Sequence, residues 1–77
     1  MTIAEQIAIE AIGSYLIYGR YCSAHEAYGV ILEEVAELFD EVRKQKRDIP
    51  AMIQECIQIA ACAQRFAEQL QQEGTIR

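Results

Sequence analysis

The chain has a single proline and no long polar tract, low-complexity segment or solenoid-type repeat. Those absences argue against disorder and against a repeat architecture. Cysteine is sparse: Cys22, Cys56 and Cys62 are odd in number and show no Cys-x-x-Cys spacing. That argues against a disulfide or zinc framework and for buried, reduced thiols. Positive charge is scarce too, with seven Lys and Arg against twelve Asp and Glu and a net charge of −5. A surface of that sign repels nucleic acid and anionic membranes, so neither is expected as a partner. Phosphate ligands remain compatible with it if a divalent metal mediates. No segment has the character of a signal peptide, and none approaches the roughly 18 consecutive apolar residues of a membrane span. A cytoplasmic protein is expected. Length is the last shortage. Seventy-seven residues make one domain, 1–77, and a core this small supplies about 3–5 kcal/mol alone. Self-association, as a homodimer or homotetramer, is therefore expected.

What is present is helical periodicity, and the stretch Ser23 to Val42 looks like the organising element. Ser23 followed by Glu26 is a helix start signal in which the hydroxyl and carboxylate satisfy free N–H groups of the first turn. Ala24, Tyr28, Ile31, Val35, Leu38 and Val42 then follow in alternating steps of four and three, one apolar stripe. Glu34, Glu37 and Glu41 fall together on one flank of it, with Glu33 next to Glu37 farther round. Like charges at that spacing repel by a few tenths of a kcal/mol per pair. Either the flank is a solvated face or a cation sits there.

An earlier helix opens on Thr2 and Glu5 and carries Ile3, Ile7, Ala11, Ile12, Tyr15 and Leu16 as far as about Gly19. Gly13 inside it suggests a close helix neighbour or a bend. Tyr15, Tyr18 and Tyr21 read first as packing residues and second as a stacking surface for a planar ligand. After Val42 come Arg43, Lys44, Lys46 and Arg47. They suit the negative end of a helix dipole, and Lys44, Lys46 and Arg47 are also candidates for gripping phosphate. Asp48-Ile49-Pro50 restarts the pattern. A third helix is predicted from about Pro50 to Glu73, stopping at Gly74, with Thr75-Ile76-Arg77 a frayed tail. Its stripe is Ile53, Cys56, Ala60, Ala63, Ala67 and Leu70, widened by Met52, Ile59 and Phe66. So apolar a helix needs burial on more than one side, as in an oligomeric bundle.

On this third helix Glu55 and Gln58 stand to their stripe as Glu34 and Glu37 stand to theirs. Two antiparallel helices patterned this way can point both pairs at one spot, which is how helical bundles build sites for hard divalent cations. The expected fold class is all-α: a hairpin of two long helices plus an N-terminal helix, assembling into an oligomeric bundle.

Glu33-Glu34-x-x-Glu37, a basic helix end, a short break and Glu55-x-x-Gln58 on an apolar helix together resemble the MazG-like all-α nucleoside triphosphate pyrophosphohydrolases. His25-Glu26-x-Tyr28 and Glu55-x-Ile57-Gln58-x-Ala60-Ala61 are similar to the short members from phages and mobile elements. The resemblance spans roughly Ser23 to Leu70. It implies Mg²⁺, with Mn²⁺ as the alternative, held by Glu34, Glu37, Glu55 and Gln58. It also implies Glu33 or Glu37 as the base, and hydrolysis of a (d)NTP to its monophosphate and pyrophosphate. Gln58 stands where that family's motif has an aspartate, so one anionic ligand is missing and the amide oxygen is a weaker donor. The alternative is therefore a homo-oligomeric bundle of the same class that has lost the chemistry and serves as a binding module.

Overall fold

The computed structural model describes residues 1–76, with the side chains of residues 1–74. Three helices follow in order, α1 Ile3–Tyr18, α2 Ala24–Val42 and α3 Ile49–Ile76. There is no strand among the described residues. None of these helices is long and apolar enough to cross a membrane.

The helix starts are set by short polar side chains. Glu5 N–H donates to Thr2 Oγ1 at 3.0 Å while Thr2 N–H donates to Glu5 Oε1 at 2.9 Å, the reciprocal pair expected from the sequence. At α2 only half of that arrangement forms. Glu26 N–H donates to Ser23 Oγ at 3.0 Å, but the Glu26 carboxylate accepts from Cys22 N–H at 3.2 Å and not from Ser23. Asp48 starts α3 one residue before the proline boundary, its Oδ1 accepting from Ala51 N–H at 3.1 Å. Gly74 does not stop α3. It keeps a negative φ, since Gly19 alone among the described glycines has a positive one. A glycine ends a helix only when it takes the left-handed conformation, so Thr75 and Ile76 stay helical and Arg77 lies outside the described residues.

The helix that organises the fold is α3, not α2. Both α1 and α2 pack against α3, and the backbones of α1 and α2 do not approach each other. The core is thin: Ala11 on α1, Tyr21 in the link, Ala27 on α2, and Ile57, Ala61 and Cys62 on α3. Full burial of a side chain the size of Ile57 stabilises by roughly 1.5–3 kcal/mol, and no large side chain here is completely enclosed.

Each predicted stripe is buried along one edge only: Ile31 and Leu38 on α2, and Ala60 with Met52, Ile59 and Phe66 on α3, are half-buried, and the rest of each stripe is exposed. On α2 the inner residues are Ala27, Val30, Ile31, Glu34, Leu38 and Glu41, while Tyr28, Val35 and Val42 are exposed. On α3 the inner residues are Ile57, Ala61 and Cys62, while Ile53, Cys56, Ala63, Ala67 and Leu70 are exposed. The apolar arc on each helix is wider than one neighbour covers, and short polar-edged faces around Ala27 and Ala61 allow the closer approach. Gly13 has no neighbour within 4 Å of where a Cβ would stand, so it marks no close helix contact.

The link between α1 and α2 is tied down onto the second half of α3. Gly19 turns the chain with φ 73°, a conformation that favours glycine. Arg65 Nη2 donates to Gly19 O at 2.8 Å, and its guanidinium lies over the Tyr21 ring at 4.6 Å. Tyr21 N–H donates to Gln69 Oε1 and Gln69 Nε2 donates back to Tyr21 O, both at 2.9 Å. Phe66 meets the Tyr21 ring edge-on at 6.1 Å. Burial pushes the Tyr21 phenol up to about 12, and its O–H donates to Cys62 O at 3.3 Å. Of the three tyrosines, Tyr21 packs as expected; Tyr15 and Tyr18 stay exposed.

Candidate functional site

Because α2 runs antiparallel beside α3, its inner flank faces the first half of α3. One carboxylate oxygen each from Glu34, Glu37 and Glu55 then lie within 4.8 Å of one another. Glu34 and Glu37 are neighbours because residues three apart share a helix face; Glu55 is brought to them only by the packing. Glu34 and Glu55 are half-buried, and Glu37 is exposed at the rim.

The electrostatics are those of three carboxyl groups crowded together without a basic partner among the described residues. The Oε2 atoms of Glu34 and Glu55 are shielded from solvent and have no hydrogen-bond partner. A buried charged oxygen left in that state costs about 1–3 kcal/mol or more. Glu34 is pushed up to about 7, first by burial, then by the charge and a shared hydrogen bond of Glu37, and then by Glu55 and Glu33. Glu55 is raised for the same reasons, burial first and Glu37 second. No basic side chain forms an ion pair with any of the three among the described residues. Lys44 is committed elsewhere, its ammonium 2.7 Å from Glu41 Oε2.

The three carboxylates fit a hard cation. Oxygens sharing one ion at about 2.0–2.1 Å stand at most about 4.2 Å apart, and these oxygens need only side-chain adjustment to reach that spacing. Oxygen donors without nitrogen or sulfur select Mg²⁺, Mn²⁺ or Ca²⁺ over zinc.

The other candidates surround the trio unequally. Gln58, one turn along from Glu55, is half-buried and lines a cleft of about 210 Å³ with Glu34, Glu10, Tyr18 and Arg65. Glu33 is exposed and lines an adjoining cleft of about 340 Å³ with Glu34, Tyr18, Arg20 and Arg65. Lys44, Lys46 and Arg47 instead line a separate hollow with Asp48, Ile49 and Pro50, one that none of the three carboxylates borders.

Arg65 is the residue that sequence reasoning missed. Its guanidinium borders both clefts beside Glu34, and its Nε is buried without a partner. No local pattern flags it, since it stands alone among Gln64, Phe66 and Ala67. Only the docking of the α1–α2 link brings it to the site.

Fold and site together define an all-helical protein whose hairpin draws carboxylates from two helices to one point. Compared with protein-family models, with curated proteins and with solved structures, the chain matches none.

Proposed function

We propose that this chain is a Mg²⁺-dependent nucleoside triphosphate pyrophosphohydrolase of the MazG-like all-α class, working as a homo-oligomer in the cytoplasm. The observation that carries the reading is the meeting of Glu34, Glu37 and Glu55 with two buried oxygens unpartnered. A solvated acidic face has no reason to turn those oxygens inward.

Glu34, Glu37 and Glu55 would hold the metal, with Gln58 as a fourth, neutral donor. When bound, Mg²⁺ would neutralise the triphosphate and polarise the phosphoryl group under attack. The chain's own residues supply the rest. Glu33 and Glu37 are the exposed carboxylates at the rim and so the ones able to meet an incoming water. One of them takes the water's proton as its oxygen bonds to phosphorus and the P–O bond to pyrophosphate breaks. Arg65 shares clefts with Glu34 and is better situated than Lys44, Lys46 or Arg47 to meet phosphate oxygens there. Tyr18, exposed on the same clefts, offers a ring face to a base.

The test is pyrophosphate release from a panel of dNTPs with Mg²⁺, on wild type and on Glu34→Gln and Gln58→Asp. Release by wild type that is lost in Glu34→Gln supports the enzyme. Release that survives Glu34→Gln removes these ligands from the mechanism. Gln58 favours the second reading, a bundle of the same class that binds without turnover. Release that appears only in Gln58→Asp would establish it.

A further inference from the structure

Because α1 and α2 both pack on α3 without their backbones meeting, a notch lies between them. It is the cleft of about 210 Å³ beside the acidic trio, floored by the buried Ala61 and Cys62. Its α2 wall holds Val30 and Glu34. Its α1 wall holds Glu10, Ser14 and Tyr18, which follow one another at steps of four and so share one face of the helix.

The fold makes no use of the first two of these polar groups. Glu10 is half-buried, and among the described residues it has neither a hydrogen bond nor a basic partner. Ser14, half-buried one turn along, has no hydrogen bond through its hydroxyl either. A carboxylate and a hydroxyl therefore stand side by side on the wall of a cleft, both open to a partner.

We propose that Glu10 is a specificity-determining residue, selecting guanine among the bases of a nucleotide bound in this cleft. The inference rests on the pyrophosphohydrolase reading above and names the substrate class of that site. A carboxylate has acceptors only, two of them side by side. Its complement is an edge with two adjacent donors. On the Watson–Crick edge, by which a base held outside a duplex is read, guanine alone has one: N1–H next to the N2 amino group. Adenine and cytosine set a single amino group next to a ring acceptor, and thymine sets one N–H between two carbonyls. N1–H and N2–H of guanine donate to the Glu10 carboxylate, and the Ser14 hydroxyl donates to O6 on the same edge. N9, which carries the sugar, is on the far side of the base from that edge. A guanine held on α1 thus points its sugar and phosphates at the α2 wall, where Glu34 stands. The adjoining cleft of about 340 Å³, which shares Tyr18, Glu34 and Arg65, continues the path for the triphosphate.

The experiment separates binding from turnover. Calorimetric titration of the full chain with Mg²⁺ uses the α,β-imido analogues of the four dNTPs, which cannot release pyrophosphate. Wild type is expected to bind the guanine analogue about ten-fold more tightly than the others. In Glu10→Gln, whose amide has a donor in place of one acceptor, that preference is expected to vanish while the other three keep their affinity. The hypoxanthine analogue lacks only the N2 amino group. It is expected to bind wild type several-fold more weakly than guanine and to match it in Glu10→Gln. Should the variant fail to fold, the hypoxanthine comparison on wild type decides. Pyrophosphate release is expected to follow the same order in kcat/KM. Equal binding of the four analogues, or a guanine preference that survives Glu10→Gln, overturns the inference and leaves the enzyme reading standing if dNTPs are still hydrolysed. Guanine-selective binding that depends on Glu10 without pyrophosphate release upholds the inference and ends the enzyme reading. Failure of every analogue to bind overturns both.

Discussion

Two polar clusters lie along α3, and the first differs from the second in whether its groups are matched. In the second half of the helix, Arg65, Gln69 and Gln72 meet the α1–α2 link with opposed donors and acceptors at 2.8–2.9 Å. In the first half, Glu55 meets Glu34 and Glu37, three carboxyl groups with no basic partner among the described residues. Matched polar groups in a thin core hold the fold together. Unmatched ones raise its free energy. Arg65 belongs to both: Nη2 is tied to Gly19, yet its buried Nε has no partner and its guanidinium borders the clefts beside Glu34.

Removing the centre of the matched cluster should have the largest effect. Tyr21→Ala deletes a buried ring that Phe66 and Arg65 both contact. About 3–5 kcal/mol of stability should be lost in denaturant melts, and a loss under 1 kcal/mol would mean that the link is not anchored there.

The unmatched cluster should respond with opposite signs in function and stability. Glu34→Gln should lower pyrophosphate release about 100-fold or more while leaving the metal-free protein as stable as wild type or more so. If both fell together, the trio would be a structural element like the Tyr21 cluster.

The pH dependence sharpens the same contrast. Glu34 titrates near 7 in the folded chain against an ordinary value of 4.5. A carboxyl raised in this way favours the folded state fully below the unfolded value and loses that contribution as pH rises through the folded one. Without divalent ions, melts of wild type relative to Glu34→Gln should therefore fall between about pH 4.5 and 7. Millimolar Mg²⁺ should offset the fall, because an ion that binds only the folded state stabilises it. A flat difference between the two proteins would mean that Glu34 is not strained by its neighbours.

The smallest effect is expected at the edge of the matched cluster. Arg20 reaches Glu73 at 3.6 Å and both side chains are close to half exposed. Arg20→Ala should cost under about 1 kcal/mol, which denaturant melts beside Tyr21→Ala would separate from the buried contacts.

Much of the secondary structure was legible in advance, because its signals are local. Thr2 and Ser23 act on N–H groups three residues away, and those distances are fixed by the chain; Asp48 does the same one residue ahead of the predicted start. The i, i+3 pairing of Glu34 with Glu37 follows in the same way. The faces were not legible. The best-spaced stripes, through Tyr28 and Val35 on α2 and Ile53 and Leu70 on α3, are exposed in the protomer. Periodicity reports that a face is apolar, and it does not report what covers that face. The neighbours of α3 and the position of Arg65 rest on contacts 46 residues apart in the chain.

The amino-acid sequence by itself determined three helices, their starts, an acidic flank and more apolar surface than 77 residues can enclose. Only the tertiary structure decided that α3 is the shared axis, that Glu55 joins Glu34 and Glu37, and that Arg65 stands beside them. The reason is range. Capping and periodicity act within a turn or two, whereas the rotation of each helix about its axis is set by which neighbour it packs against.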